Sequence, residues 1–124
     1  MTAAAAHWAN PSSVHRAGRA AHAALEDARE GIARGLGCQP SALVFTSGGT
    51  EALGLALNGV AATRRLVSAV EHDAVRAQAA GAEIIPVNGE GRVDLDALEK
   101  LLAAGPALVA VMQANNETGV LQPL

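Results

Sequence analysis

Apolar positions recur along this chain first at helical spacing and then in short runs separated by helical stretches. Ala21, Leu25, Ala28, Ile32 and Leu36 fall on one helical stripe. Pro11-Ser12-Ser13 before it reads as a turn with a capping hydroxyl, and Gly35 and Gly37 as its end. Leu43-Val44-Phe45-Thr46 is a compact apolar run, the mark of a buried strand. The order then alternates. A helix is expected from Glu51 to about Ala62, a strand at Leu66–Ala69, and a helix from Asp73 to Ala80 closed by Gly81. A strand at Ile84–Val87 and an Asn88–Gly91 turn come next. Asp94 caps a helix to about Ala104, and a last strand runs from Leu108 to Met112. Strands separated by helices imply right-handed crossovers and a parallel sheet covered on its faces.

Composition supports a sheet buried under helices. Hydrophobic residues are 50% of the 124, with one Phe and one Trp, so the core is built from Leu, Val, Ile and Ala. Length allows one small domain. Net charge is -3, with Lys+Arg 9 and Asp+Glu 12, and no basic patch suggests nucleic acid. One cysteine, Cys38, excludes an internal disulfide and a cysteine-based zinc site, and a reduced compartment is the default. Cys38 follows a helix and has no neighbouring His or Lys in sequence, so it reads as a small turn residue. Met1–Ala6 lacks the charge and apolar run of a secretory signal, and no stretch is long enough to span a membrane. Leu124 follows a strand and a polar loop, so the end is expected to be a truncation.

In open parallel sheets, ligands bind beyond the carboxyl ends of the strands. Three polar segments are expected there: Ser47-Gly48-Gly49-Thr50, Glu71-His72 and Asn115-Asn116-Glu117. Glycines that admit a ligand or take left-handed angles, a helix N-terminus and the Thr50 hydroxyl suit a phosphate. A glycine turn that binds nothing fits the spacing equally well. Gly-Lys-Ser/Thr and Gly-x-Gly-x-x-Gly are both absent here, so neither common nucleotide loop is present. His72 could stack on a flat ring or shuttle a proton; alone, it reads as a surface histidine at a helix start. Asn116 could bind a ring oxygen or cap the Asn-Asn-Glu turn.

Taken together, four segments resemble one family. They are Asn10-Pro11-Ser12-Ser13-Val14-His15-x-x-Gly18-Arg19, Val44-Phe45-Thr46-Ser47-Gly48-Gly49-Thr50-Glu51, Val70-Glu71-His72-Asp73-Ala74-Val75 and Asn115-Asn116-Glu117-x-Gly119-Val120. In order and spacing they resemble the N-terminal half of the cofactor domain of cysteine desulfurases, class V aminotransferases of fold type I that use pyridoxal phosphate (PLP). The resemblance runs from about Trp8 to Leu124. It implies a partial three-layer α/β/α domain over residues 1–124, with the C-terminal half absent.

The resemblance implies removal of sulfur from L-cysteine to give alanine and an enzyme persulfide, for iron–sulfur cluster or thiocofactor assembly. By resemblance, Gly49 and Thr50 hold the cofactor phosphate, His72 stacks on the pyridine ring and assists proton transfer, and Asn116 bonds the ring hydroxyl oxygen. It also implies a cytoplasmic setting, a homodimer of the full-length protein, a sulfur-acceptor or scaffold partner, and no metal, nucleic acid or membrane. A non-enzymatic remnant of the same fold, or another class V lyase such as selenocysteine lyase, are the other readings. The chain departs from the family at its start and at Ala52-Leu53-Gly54, where polar residues are usual. The family's Schiff-base lysine, its aspartate partner for the pyridine nitrogen, its substrate-binding arginine and its nucleophilic cysteine lie beyond the matched region. Lys100 is the sole lysine, and helical spacing turns it away from the Leu95, Leu98, Leu101 and Leu102 face. The chain is therefore expected to be inactive alone.

Overall fold

The computed structural model describes residues 8–123. Met1–Ala6, read above as no secretory signal, lies outside them. The chain divides into two compact units, Met1–Phe45 and Thr46–Leu124.

The first unit is built on helix α1, Arg16–Leu36. Its cap is not a serine, as the sequence suggested, but His15, whose Nδ1 accepts from Gly18 N–H at 3.1 Å. The serines are held in a turn of their own: Ser13 N–H donates to the Asn10 carbonyl and Ser12 N–H to Asn10 Oδ1. That turn lies against Gly18, which is buried. Gly35 stays within the helix, and Gly37 ends it in the left-handed conformation, φ 67. The Cys38 N–H then reaches back to the Ala33 carbonyl. The predicted apolar stripe forms, but only Gly18 and Ala33 of this helix are buried. A short 3-10 turn, Pro40–Ala42, follows.

Leu43–Thr46 pairs with no strand, which corrects the strand expected there. An apolar run becomes a strand only beside a free ladder edge. Val44 is 75% exposed, so the run is uncovered as well as unpaired.

The second unit holds helix α2, Gly49–Gly59, strand β1, Arg65–Ser68, helix α3, Asp73–Gln78, strand β2, Glu83–Ile85, helix α4, Leu95–Ala103, and strand β3, Leu108–Ala110. The sheet order is β2-β1-β3, and both pairings are parallel. Leu66 stands opposite Glu83 on one side and Val109 on the other. Alternate residues of β1 feed two cores. Val67 packs with Leu57, Val75 and Ala79 under α2 and α3. Leu66 packs with Ile85 and Val93, joined by Leu98 and Leu101 of α4. Helices on both faces of a parallel sheet make a partial three-layer α/β/α arrangement.

Two arginines fix the direction of the helices. Arg65 Nε, at the start of β1, donates to the Leu57 carbonyl near the end of α2. Arg64 donates to the Leu101 and Gly105 carbonyls at the end of α4 and pairs with Glu83 at 2.8 Å. Helix C-termini thus sit at the amino edge of the sheet, and the α2 and α3 N-termini face the carboxyl edge.

Candidate functional site

Beyond β1 the chain turns through Ala69–His72 into α3, and beyond β3 it turns through Asn115–Thr118. These turns enclose a cleft of about 370 Å³, lined on one side by Glu71, His72 and Arg76 and on the other by Asn115, Asn116 and Glu117. His72 and Asn116, singled out in the sequence, therefore share one cleft.

His72 is the N-cap of α3. Its Nδ1 accepts from Ala74 N–H at 3.0 Å, which makes Nε2 the protonated nitrogen of the neutral ring. The ring is exposed and oriented by its own helix.

The two asparagines divide the work. Asn115 organises the turn: its Oδ1 accepts from the N–H groups of Glu117 and Thr118, both at 2.9 Å, and from the Thr118 hydroxyl. Its Nδ2 donates to the Val70 carbonyl at 3.0 Å, across the cleft floor. The turn role considered for Asn116 thus falls to Asn115, and the Asn116 side chain is exposed at the cleft wall.

Gly49 and Thr50 do not line this cleft. They open α2 at the same edge of the sheet, and the α2 N-cap, Gly48, supplies no side-chain cap. The first N–H groups of a helix have no partner within it and carry the positive end of its dipole. A Cβ built on Gly48 or Gly49 meets nothing within 4 Å, so the space beside both residues is open. Left-handed angles play no part here: Gly48 has φ 167, which any residue adopts, and Gly49 is helical. What the two glycines supply is clearance.

Glu51 completes the loop. Its Oε2 accepts from Ser47 N–H at 2.6 Å and from Ser47 Oγ at 2.7 Å. Those hydrogen bonds, backbone first and hydroxyl second, hold the Glu51 carboxyl below its ordinary value of 4.5. Glu51 takes up the Ser47 donors, which leaves the α2 amides and the Thr50 hydroxyl to meet an anion.

The sequence placed Glu71 in the Glu71-His72 segment but gave it no role of its own. Glu71 is 7% exposed, yet no cation is paired with it among the described residues. Its Oε1 accepts from Ser68 Oγ at 2.8 Å and from Met112 N–H. The signal was present: a carboxylate directly after a buried strand, beside a histidine already singled out. Cys38 is exposed and free in the first unit. Among the described residues no group of three or more His, Cys, Asp or Glu could hold a metal ion, and no helix is long and apolar enough to cross a membrane.

The aminotransferase class-V family model matches residues 3–124. A cysteine desulfurase IscS of Dictyoglomus turgidum is 41% identical over 130 residues, covering 94% of this chain and 33% of its own length. A cysteine desulfurase of a Frankia species is 44% identical over 135 residues, covering 92% and 32%. Among solved structures, a NifS-like protein superposes with a TM-score of 0.80 at 38% identity, covering 94% of this chain and 36% of that one. A NifS-like protein from Rickettsia africae gives 0.78 at 39% identity, covering 90% and 34%. The chain spans about a third of the length of the relatives it matches.

Proposed function

The chain belongs to the aminotransferase class-V family, and on that premise we propose that it forms the cofactor-cradling N-terminal part of a PLP-dependent cysteine desulfurase. The whole enzyme would take sulfur from L-cysteine, leave alanine, and pass the sulfur as a persulfide toward iron–sulfur clusters or thiocofactors. The relatives' names support the activity. The observation that carries the reading for this chain is the uncapped, unobstructed α2 N-terminus at the same sheet edge as the His72–Asn116 cleft.

The donor set fits the group. The α2 amides and the Thr50 hydroxyl would hold the phosphate, since a helix N-terminus favours an anion. Asn116 would donate its amide N–H to the ring oxygen, while Asn115 keeps that loop in place. His72 would lie along the pyridine ring, and Nε2 is the atom from which it can release a proton, because Nδ1 is committed to Ala74. When bound, PLP supplies an electron sink for the substrate's breaking bonds.

A covalent hold on the cofactor requires a lysine amine at its aldehyde. Lys100 lies exposed on α4, one residue before Leu101, whose carbonyl binds Arg64 at the amino edge of the sheet. The cleft is at the opposite edge. The chain is therefore expected to bind PLP reversibly and to release no sulfide from cysteine. The test is to incubate the chain with PLP, trap with borohydride, and map lysine adducts by mass spectrometry beside a sulfide assay. Dialysable PLP with no Lys100 adduct is the expected result. A stoichiometric Lys100 adduct with sulfide release would overturn the reading.

A further inference from the structure

We infer that Glu71 is a positioning residue that, crossed with Asn115, sets the separation of His72 and Asn116 across the cleft. The inference rests on the reading of that cleft as part of the cofactor site. It starts from two hydrogen bonds between the same two loops, one made by a side chain reaching from the β1 side and the other by a side chain reaching from the β3 side. Glu71, on the loop after β1, accepts from Met112 N–H, just beyond β3. Asn115, on the loop after β3, donates to the Val70 carbonyl, just before Glu71. The Glu71 carboxylate is itself steadied by the Ser68 hydroxyl, and Ser68 is 1% exposed at the end of β1.

The placement of these residues gives the tie its purpose. His72 follows Glu71 directly, and Asn116 follows Asn115 directly. Neither His72 nor Asn116 bonds to the opposite loop among the described hydrogen bonds. Short parallel strands do not by themselves fix loops that leave them in different directions, so the loop spacing depends on Glu71 and Asn115. A buried carboxylate without a cation is costly to desolvate. Hydrogen bonds from an amide and a hydroxyl offset that cost, and bonds to a charged acceptor are stronger than neutral ones.

The test is hydrogen exchange by NMR on the whole chain, wild type beside E71Q, E71A and N115A, each also titrated with PLP. Glutamine keeps a neutral acceptor oxygen for Ser68 and Met112, so exchange at Met112 N–H and at the Asn115 side-chain amide should stay closer to wild type in E71Q than in E71A. E71A should speed both on the order of tenfold, the scale of one hydrogen bond to a charged group. The amide of Ile85, wholly buried in the other core, should not change. PLP affinity should fall in E71A and return in E71Q. Unmoved Asn115 exchange in E71A, or E71Q behaving as E71A, would overturn the inference. If E71A unfolds, shown by Ile85 exchanging with the rest, N115A decides: Met112 must exchange faster there with Ile85 unchanged, and an unmoved Met112 overturns it. A wild-type chain that ignores PLP would sink the cofactor reading, while the exchange arms still decide the crossed tie.

Discussion

At the residue scale, Gly18 and Glu51 carry the clearest consequences. A Cβ at Gly18 would meet the Ser13 carbonyl oxygen, and would lie 2.7 Å from Ser13 Cβ and 2.9 Å from the Asn10 carbonyl oxygen. Two of these three atoms are backbone, and the turn is fixed by its own hydrogen bonds. Gly18→Ala should therefore destabilise the first unit by about 1–3 kcal/mol, as overpacking does. Urea unfolding followed by circular dichroism would read it. Glu51 predicts a pH dependence. Its folded pKa is depressed, so its contribution is present above the ordinary value of 4.5 and is lost as pH falls below that value through the folded pKa. The amide of Ser47 should accordingly lose its hydrogen-bonded NMR shift on acidification, and E51Q should flatten that titration. The sequence showed that Asn115 and Asn116 were a pair but not which one would turn the chain. That choice was settled by Val70, whose carbonyl is within reach of Asn115 only once β1 and β3 are aligned.

At the element scale, helix signals were the most legible, because caps act over three or four residues. Asp94 was expected to cap α4, and its Oδ1 accepts from Ala97 N–H at 3.0 Å. Asp94→Ala should cost about 1 kcal/mol, the usual loss for a missing N-cap, read as a lower urea midpoint with an unchanged slope. The α1 start was misread because serine is the commoner cap, whereas here a histidine ring reaches the Gly18 amide. Three of the four expected strands form and one does not. Leu43–Thr46 has the composition of a strand, but pairing depends on a neighbour that local composition cannot specify. The face of α4 was read in part: Leu98 and Leu101 pack on the sheet, while Leu95 is 53% exposed and Leu102 is 41% exposed. A nine-residue helix on a three-stranded sheet has too little partner surface for all four leucines.

At the scale of the whole molecule, the alternation of strands and helices was enough to place the polar segments at one sheet edge. The distances between those segments were not legible, since long-range hydrogen bonds such as that from Asn115 to the Val70 carbonyl are not specified by local sequence. The apolar side chains of Ile84 on β2, Val109 on β3 and Leu121 are exposed, and exposed apolar surface favours association. Sedimentation should therefore show an average mass that rises with concentration. Concentration-independent monomer would count against that. The central claim is that the α2 N-terminus holds a phosphate. The most direct measurement is an amide NMR titration of the chain with PLP and, in parallel, with pyridoxal, which lacks the phosphate. Saturable shifts are expected at Gly49, Thr50 and Glu51 with PLP only, with affinity weakened about tenfold in Thr50→Ala by loss of one hydrogen bond to a charged group. Equal shifts with pyridoxal, or PLP shifts that bypass those three amides, would contradict the claim.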